Sequence, residues 1–266
     1  MARAKRHYIP EQIWHLTHRC HKRDFLLKLV KDKRRWLQWL FEAKERYGLV
    51  ILNFTVTSNH IHLLVFDEKG RDVIPSSIKL VAGRTGQEYN LRKKRKGAFW
   101  EDRYHATAIE SEEHLFKCLT YIDLNMVRNG VVSHPSEWSF CGYNEIQNPR
   151  KKNVLIAYQK LAELTGFESY TAFQETHREL VNESLATGKN IRQNQWTESI
   201  AVGSKSFIET IKEKLGILAN GRKIIENDGG FQLREEMGTY FANSDSKNIK
   251  DNTGAQNTYY WDTNCS

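Results

Sequence analysis

Residues 49–66 read LVILNFTVTSNHIHLLVF. Two runs of β-branched and apolar residues, 49–57 and 60–66, flank Ser58-Asn59, a dipeptide suited to a tight turn. The pattern predicts a β-hairpin. In its second strand, alternation sends His60 and His62 to one face and Ile61, Leu63 and Val65 to the other. The two imidazoles then stand roughly 7 Å apart, close enough to share one divalent ion. Alone, the pair is better read as two histidines that merely sit on a strand edge.

Working outward, residues 11–17 (EQIWHLT) predict a short strand. Residues 24–47 predict a helix, with Phe25, Leu26, Leu29, Trp36, Leu37, Leu40 and Phe41 at helical spacing and Gly48 as its stop. Downstream, residues 75–93 predict a second helix on Ile78, Val81 and Leu91, although Gly83 and Gly86 interrupt it. Residues 99–109 read as a fourth strand. Residues 112–128 make a third helix, with Ser111 as cap, Glu112 and Glu113 in the first turn, and Gly130 beyond its end. Leu115, Leu119, Ile122 and Met126 form its apolar stripe. The resulting order is strand, helix, strand, strand, helix, strand, helix. That order implies an α+β fold: an antiparallel ferredoxin-like (split βαβ) sheet with helices mainly on one face.

The chain has 266 residues and a formal net charge of +8, unevenly spread. Residues 1–152 hold 28 Lys/Arg against 17 Asp/Glu, whereas residues 153–266 hold 12 against 15. A basic body followed by a mildly acidic appendage suits a polyanionic partner, because Lys and Arg near phosphates release condensed counterions. Residues 1–150 are expected to form the main domain, 151–242 a helical C-terminal extension and 243–266 a disordered tail rich in Asn, Ser, Asp and Thr. In the extension, residues 154–188 read as short helices and 204–215 as another, closed by Gly216. Cys20, Cys118, Cys141 and Cys265 form no CxxC pair, which argues against a zinc knuckle and fits reduced thiols. No apolar stretch reaches the ~18–20 residues of a membrane span, and no leader is apparent, so a cytoplasmic location is expected.

On the third helix, Tyr121 and Asn125 are four residues apart and share a face, which Arg128 continues. An ordinary polar helix face would look the same. The combination is more specific. NHIHLLV (59–65), FWEDRYH (99–105) and YIDLNMVRNGVV (121–132), in that order, resemble the single-tyrosine HUH transposases, and among them the REP-associated tyrosine transposases. The resemblance spans roughly residues 8–150 and continues more weakly through 196–216. Met126 stands where that family usually has Pro, and Asn129 where it usually has Ala.

The resemblance implies a metal-dependent endonuclease and strand-transferase acting on single-stranded hairpin DNA. Tyr121 would be the nucleophile, and His60, His62 and Asn125 the ligands of Mg²⁺ or Mn²⁺. Arg92, Lys93, Lys94, Arg95 and Lys96 form a basic run that would track the DNA backbone or simply end a helix in solvent. Trp100, Arg103, Tyr104 and His105 would meet unpaired bases and phosphates, or pack the core. Arg128 joins this DNA-binding set, and Arg3, Lys5 and Arg6 could form a basic arm. Two other readings stay open: a catalytically silent hairpin-binding protein, and a rolling-circle-type nickase. The active form would be a monomer or a homodimer.

Overall fold

The chain forms β1 (Ile13–Arg19), α1 (Val30–Tyr47), β2 (Val50–Val56), β3 (His60–Phe66), α2 (Val73–Arg92), β4 (His105–Ile109), α3 (Glu113–Asp123) and α4 (Asn125–Arg128). The structure, a computed structural model, describes residues 9–68, 70–188, 191–227 and 229–235. The tail expected from residue 243, the basic arm at Arg3, Lys5 and Arg6, and Cys265 lie outside the described residues.

The predicted hairpin is present. β2 and β3 pair antiparallel with Thr55 opposite His62, and β3 pairs antiparallel with β1, placing Thr17 opposite His62. β1 also pairs antiparallel with β4. The order β2-β3-β1-β4, with α1 and α2 as crossovers, is the split βαβ arrangement. Leu16, Phe54, Ile61 and Leu63 share one face and are buried. That burial supplies about 1.5–3 kcal/mol per large side chain. α2 packs on this face, where Trp100 stacks on His18 and donates its indole N–H to the Ala82 carbonyl (3.0 Å).

The other face carries His15, Thr55 and His62. α3 crosses it, tied by Thr55 Oγ1 donating to the Ile122 carbonyl (3.1 Å) and Asn53 Nδ2 donating to Asp123 Oδ1 (2.9 Å). A buried His177–Asp123 pair at 2.8 Å joins α3 to the extension.

After α5 (Tyr143–Gln147), the extension comprises α6 (Tyr158–Leu164), α7 (Tyr170–Ala186), α8 (Gln195–Glu198), β5 (Ala201–Gly203), α9 (Lys205–Leu215), β6 (Arg222–Asn227) and β7 (Gly230–Glu235). α6, α7 and α9 fall in the stretches expected to be helical, and three strands join them. β5 lies parallel to β4, with Ala108 opposite Ala201, and β7 and β6 follow, so one sheet runs β2-β3-β1-β4-β5-β7-β6. These strands escaped the sequence reading for physical reasons. β5 is three residues long, too short to show alternation, and β6 is mostly exposed, so it lacks an apolar period.

Smaller differences have local causes. α1 starts at Val30 rather than residue 24, because the backbone is extended at Asp24 (ψ 146°) and again at Leu29 (ψ 142°). Leu26 and Leu27 are buried from the loop instead. β4 starts at His105, not residue 99: Phe99 leaves the strand line to pack beside Gly86 of α2, where an added Cβ would meet Phe99 Cβ at 3.1 Å. Ser111 does not cap α3; Glu112 takes that position with no side-chain cap. The helix expected to run from 112 to 128 is interrupted at Leu124, which separates α3 from α4. Gly48, at φ 70°, ends α1 as expected. Cys20, Cys118 and Cys141 are buried free thiols. Among the described residues no helix is long and apolar enough to cross a membrane.

Candidate active site

β3 sends His60 and His62 to the face that α3 crosses, and their rings meet edge to face at 5.1 Å between centroids. Tyr121, on α3, stands edge-on to His62 at 6.0 Å. Asn125 opens α4 and brings its Nδ2 to within 3.0 Å of His62 Nε2. The amide of Asn129 steadies this pose, donating to the Asn125 backbone carbonyl (2.7 Å) and to Asn125 Oδ1 (3.3 Å). Asn129 thus has a structural task at the position where the resembled family usually has Ala. The Arg128 guanidinium lies over the Tyr121 ring at 4.0 Å and donates to the Tyr121 carbonyl (2.6 Å).

These groups line a cleft of about 730 Å³. Of the residues singled out from sequence, His60, His62, Tyr121, Asn125, Arg103, His105 and Arg128 all border it. His105 also donates from Nε2 to the Ser199 carbonyl (2.9 Å), tying β4 to the extension. Arg92, Lys93, Lys94, Arg95, Lys96, Trp100 and Tyr104 do not line the cleft. Arg92 pairs with Asp32. Arg95 donates to Asn90 Oδ1 and to the Ala98 carbonyl, while Lys93, Lys94 and Lys96 are exposed. Trp100 is held between His18 and α2 as described above, and Tyr104 is half-buried.

Several cleft residues had no sequence signal. Arg19 and Arg23 come from the first strand and the turn after it, and Arg192 comes from the extension. His15 lies fully buried beneath the site, its Nε2 2.9 Å from His62 Nδ1. It sits inside a stretch read as a strand, but its partnership depends on β1 lying beside β3, which no local pattern reveals.

Burial dominates the electrostatics. It pushes the pKa of His15 down to about 3 and that of His62 well below the usual imidazole value. His60 falls to about 4, chiefly through burial and further through the nearby Arg19, Arg192 and Arg128 cations. All three imidazoles are therefore neutral at pH 7, the form that binds metal. Burial raises the Tyr121 phenol, while Arg128 and Arg192 pull it back down.

The donor set fits a cation. His60 Nδ1 is taken by Asn59 Oδ1 (2.7 Å), whose own Nδ2 donates to the Arg23 carbonyl (3.1 Å). His62 Nδ1 is taken by His15. Engaging Nδ1 in each ring leaves Nε2 as the nitrogen for a ligand. Among the described residues no cluster of three or more His, Cys, Asp or Glu is present. Two imidazoles and one amide suit a hard divalent ion only with further oxygens from water and phosphate.

Residues 9–125 match the family described as "Transposase IS200 like". This segment, a little under half of the chain, is similar to that family. Two solved structures are similar over part of the chain. One is a REP-associated tyrosine transposase bound to a REP hairpin, with 21% identity, TM-score 0.46, and 55% of this chain and 84% of that chain covered. The other is a protein assigned as a transposase from Deinococcus radiodurans R1, with 18% identity, TM-score 0.32, and 42% and 88% covered. No curated protein matches the chain. The similarity to the transposase family rests on the match over residues 9–125. The transposase match stops at Asn125, so Arg128, Asn129, Arg192 and Glu198 reach the cleft from beyond it.

Proposed function

We propose that this protein is a transposase that cuts and rejoins single-stranded hairpin DNA by transesterification at Tyr121. The observation that carries the reading is convergence: Tyr121, His60, His62 and Asn125, from three elements, border one cleft together with Arg19, Arg128 and Arg192. The phenol oxygen attacks the phosphorus of a phosphodiester and gives up its proton. The bond to the 3′ oxygen breaks, and that oxygen leaves as a 3′-OH. The 5′-phosphate stays on tyrosine until a second 3′-OH displaces it and the phenol is regenerated. One phosphodiester is exchanged for another, so no nucleotide cofactor is required.

Arg128 and Arg192 oppose the burial that keeps the phenol protonated, and so favour the attacking phenolate. With Arg19 they also provide cations where a phosphate would sit. Mg²⁺ or Mn²⁺, held by His60, His62 and Asn125, would polarise that phosphate. The exposed run Arg92–Lys96, with Trp100, Tyr104 and the cleft residue Arg103, is assigned to DNA flanking the cut. Tyr121 faces the histidines of its own chain, which supports a monomer as a sufficient unit. Residues 1–150 are assigned the chemistry and the extension the closure of the site.

The test is incubation with end-labelled hairpin DNA and Mn²⁺, followed by a denaturing gel that retains protein. A covalent adduct that Tyr121→Phe abolishes is the expected result. A retarded complex on a native gel, with no adduct from any of several hairpins, would overturn the enzyme in favour of a silent hairpin binder.

A further inference from the structure

A chain of hydrogen bonds runs from the extension to the centre of the cleft. The Trp196 carbonyl, at α8, lies 2.8 Å from His15 Nδ1. His15 Nε2 lies 2.9 Å from His62 Nδ1, and His62 Nε2 lies 3.0 Å from the Asn125 amide. The two rings are stacked at 5.1 Å, tilted by only 13°. Trp196 is itself immobilised: it is fully buried, and its indole N–H donates to Gln193 Oε1 (2.6 Å).

Each proton in this chain is dictated by the one before. A carbonyl only accepts, so His15 must carry its proton on Nδ1. In a neutral imidazole the other nitrogen then accepts, so the proton between the rings belongs to His62 Nδ1. That leaves His62 Nε2 with a lone pair directed at Asn125. We propose that His15 is a positioning residue, and that the Trp196 carbonyl acts through it to fix the His62 tautomer that binds a cation. The extension thereby sets the ligand state of a strand it does not touch in sequence. The tautomer is a property of the fold alone, whereas its use in binding rests on the proposed metal function.

Without this chain His62 has a second choice. It can place its proton on Nε2 and donate to Asn125 after the amide turns over, which removes the lone pair from the cleft. Partners of this outer kind are typically worth about 10–100-fold in metal affinity. His15→Phe removes both links. His15→Gln keeps an N–H for the Trp196 carbonyl and an oxygen for His62 Nδ1–H.

The experiment is long-range proton–nitrogen NMR of the full chain labelled with ¹⁵N-histidine, without metal, paired with Mn²⁺ titration followed by electron paramagnetic resonance. His62 is assigned by the signal lost in His62→Gln. The expected result is His62 protonated on Nδ1 in the wild type, with Mn²⁺ affinity down about 10–100-fold in His15→Phe and largely regained in His15→Gln. A wild-type His62 protonated on Nε2 overturns the inference whether or not the variants fold. So does a folded His15→Phe that keeps both the Nδ1 proton and wild-type Mn²⁺ affinity. If the wild type shows the Nδ1 proton but binds no Mn²⁺, the tautomer relay stands and the metal function falls.

Discussion

At the scale of single residues the site depends on groups stripped of water. Tyr121 illustrates the balance: burial raises its pKa, and two guanidiniums counter that. Tyr121→Phe should remove adduct formation while leaving hairpin affinity within about twofold, because the ring and its stacking on Arg128 remain. Cleavage surviving in that variant would move the nucleophile elsewhere. The buried histidines add a pH signature. His15 and His18 are held down at about 3 and about 4, against 6.5 when exposed. Between those values the unfolded chain binds more protons than the folded one. Their contribution is therefore intact above pH 6.5 and is lost as pH falls towards 4, by up to about 1.4 kcal/mol per pH unit per group. Urea midpoints measured at pH 7, 5.5 and 4.5 should decline in that order, and equal midpoints would contradict the burial of these rings as neutral species. That His60 and His62 share one face and Tyr121 and Asn125 another was legible from strand and helix periods, whereas their candidate roles came from the family resemblance. His15, Arg19 and Arg192 were not legible, since they reach the cleft through strand pairing and chain return.

At the scale of elements, the hairpin and the order of the first seven elements followed from alternation and helical spacing. Ends were harder, because they depend on tertiary contacts. β4 loses residues 99–104 to the packing of Phe99 and Trp100 on α2, and α1 loses residues 24–29 to an extended backbone at Asp24 and Leu29. The two glycines that seemed to weaken α2 turn out to be different. Gly83 has open space around its missing Cβ, whereas Gly86 lies under Phe99. Gly83→Ala should therefore stabilise the protein by up to about 1 kcal/mol through helix propensity alone. Gly86→Ala should gain less, since Phe99 must yield to make room. Thermal unfolding of the two variants compares them directly, and an equal or larger gain at Gly86 would show the Phe99 contact to be soft.

At the scale of the whole molecule, the basic body and the closing extension have separate consequences. A surface whose cations meet phosphates binds DNA with an affinity that falls linearly in log–log against salt. Fluorescence anisotropy with a labelled hairpin should show that decline from low salt to physiological salt. A flat profile would mean that the cleft cations do not meet the backbone. The extension covers the β4 edge and packs α7 against α3. A chain cut after Arg150 should expose that edge together with Phe116, which packs against Phe167 and Phe173, and should aggregate rather than elute as a monomer on size exclusion. A soluble, well-folded fragment would establish residues 1–150 as an autonomous domain.

The bond between His15 and the Trp196 carbonyl joins positions 181 residues apart. At a synthesis rate of about 5–20 residues per second, the first strand waits many seconds on the ribosome for its partner to emerge. The hairpin bearing the two histidines is made early, yet the link beneath His62 forms only when most of the polypeptide has left the exit tunnel. The nascent chain thus passes most of its synthesis with that link unmade, and the order of translation itself delays completion of the cleft.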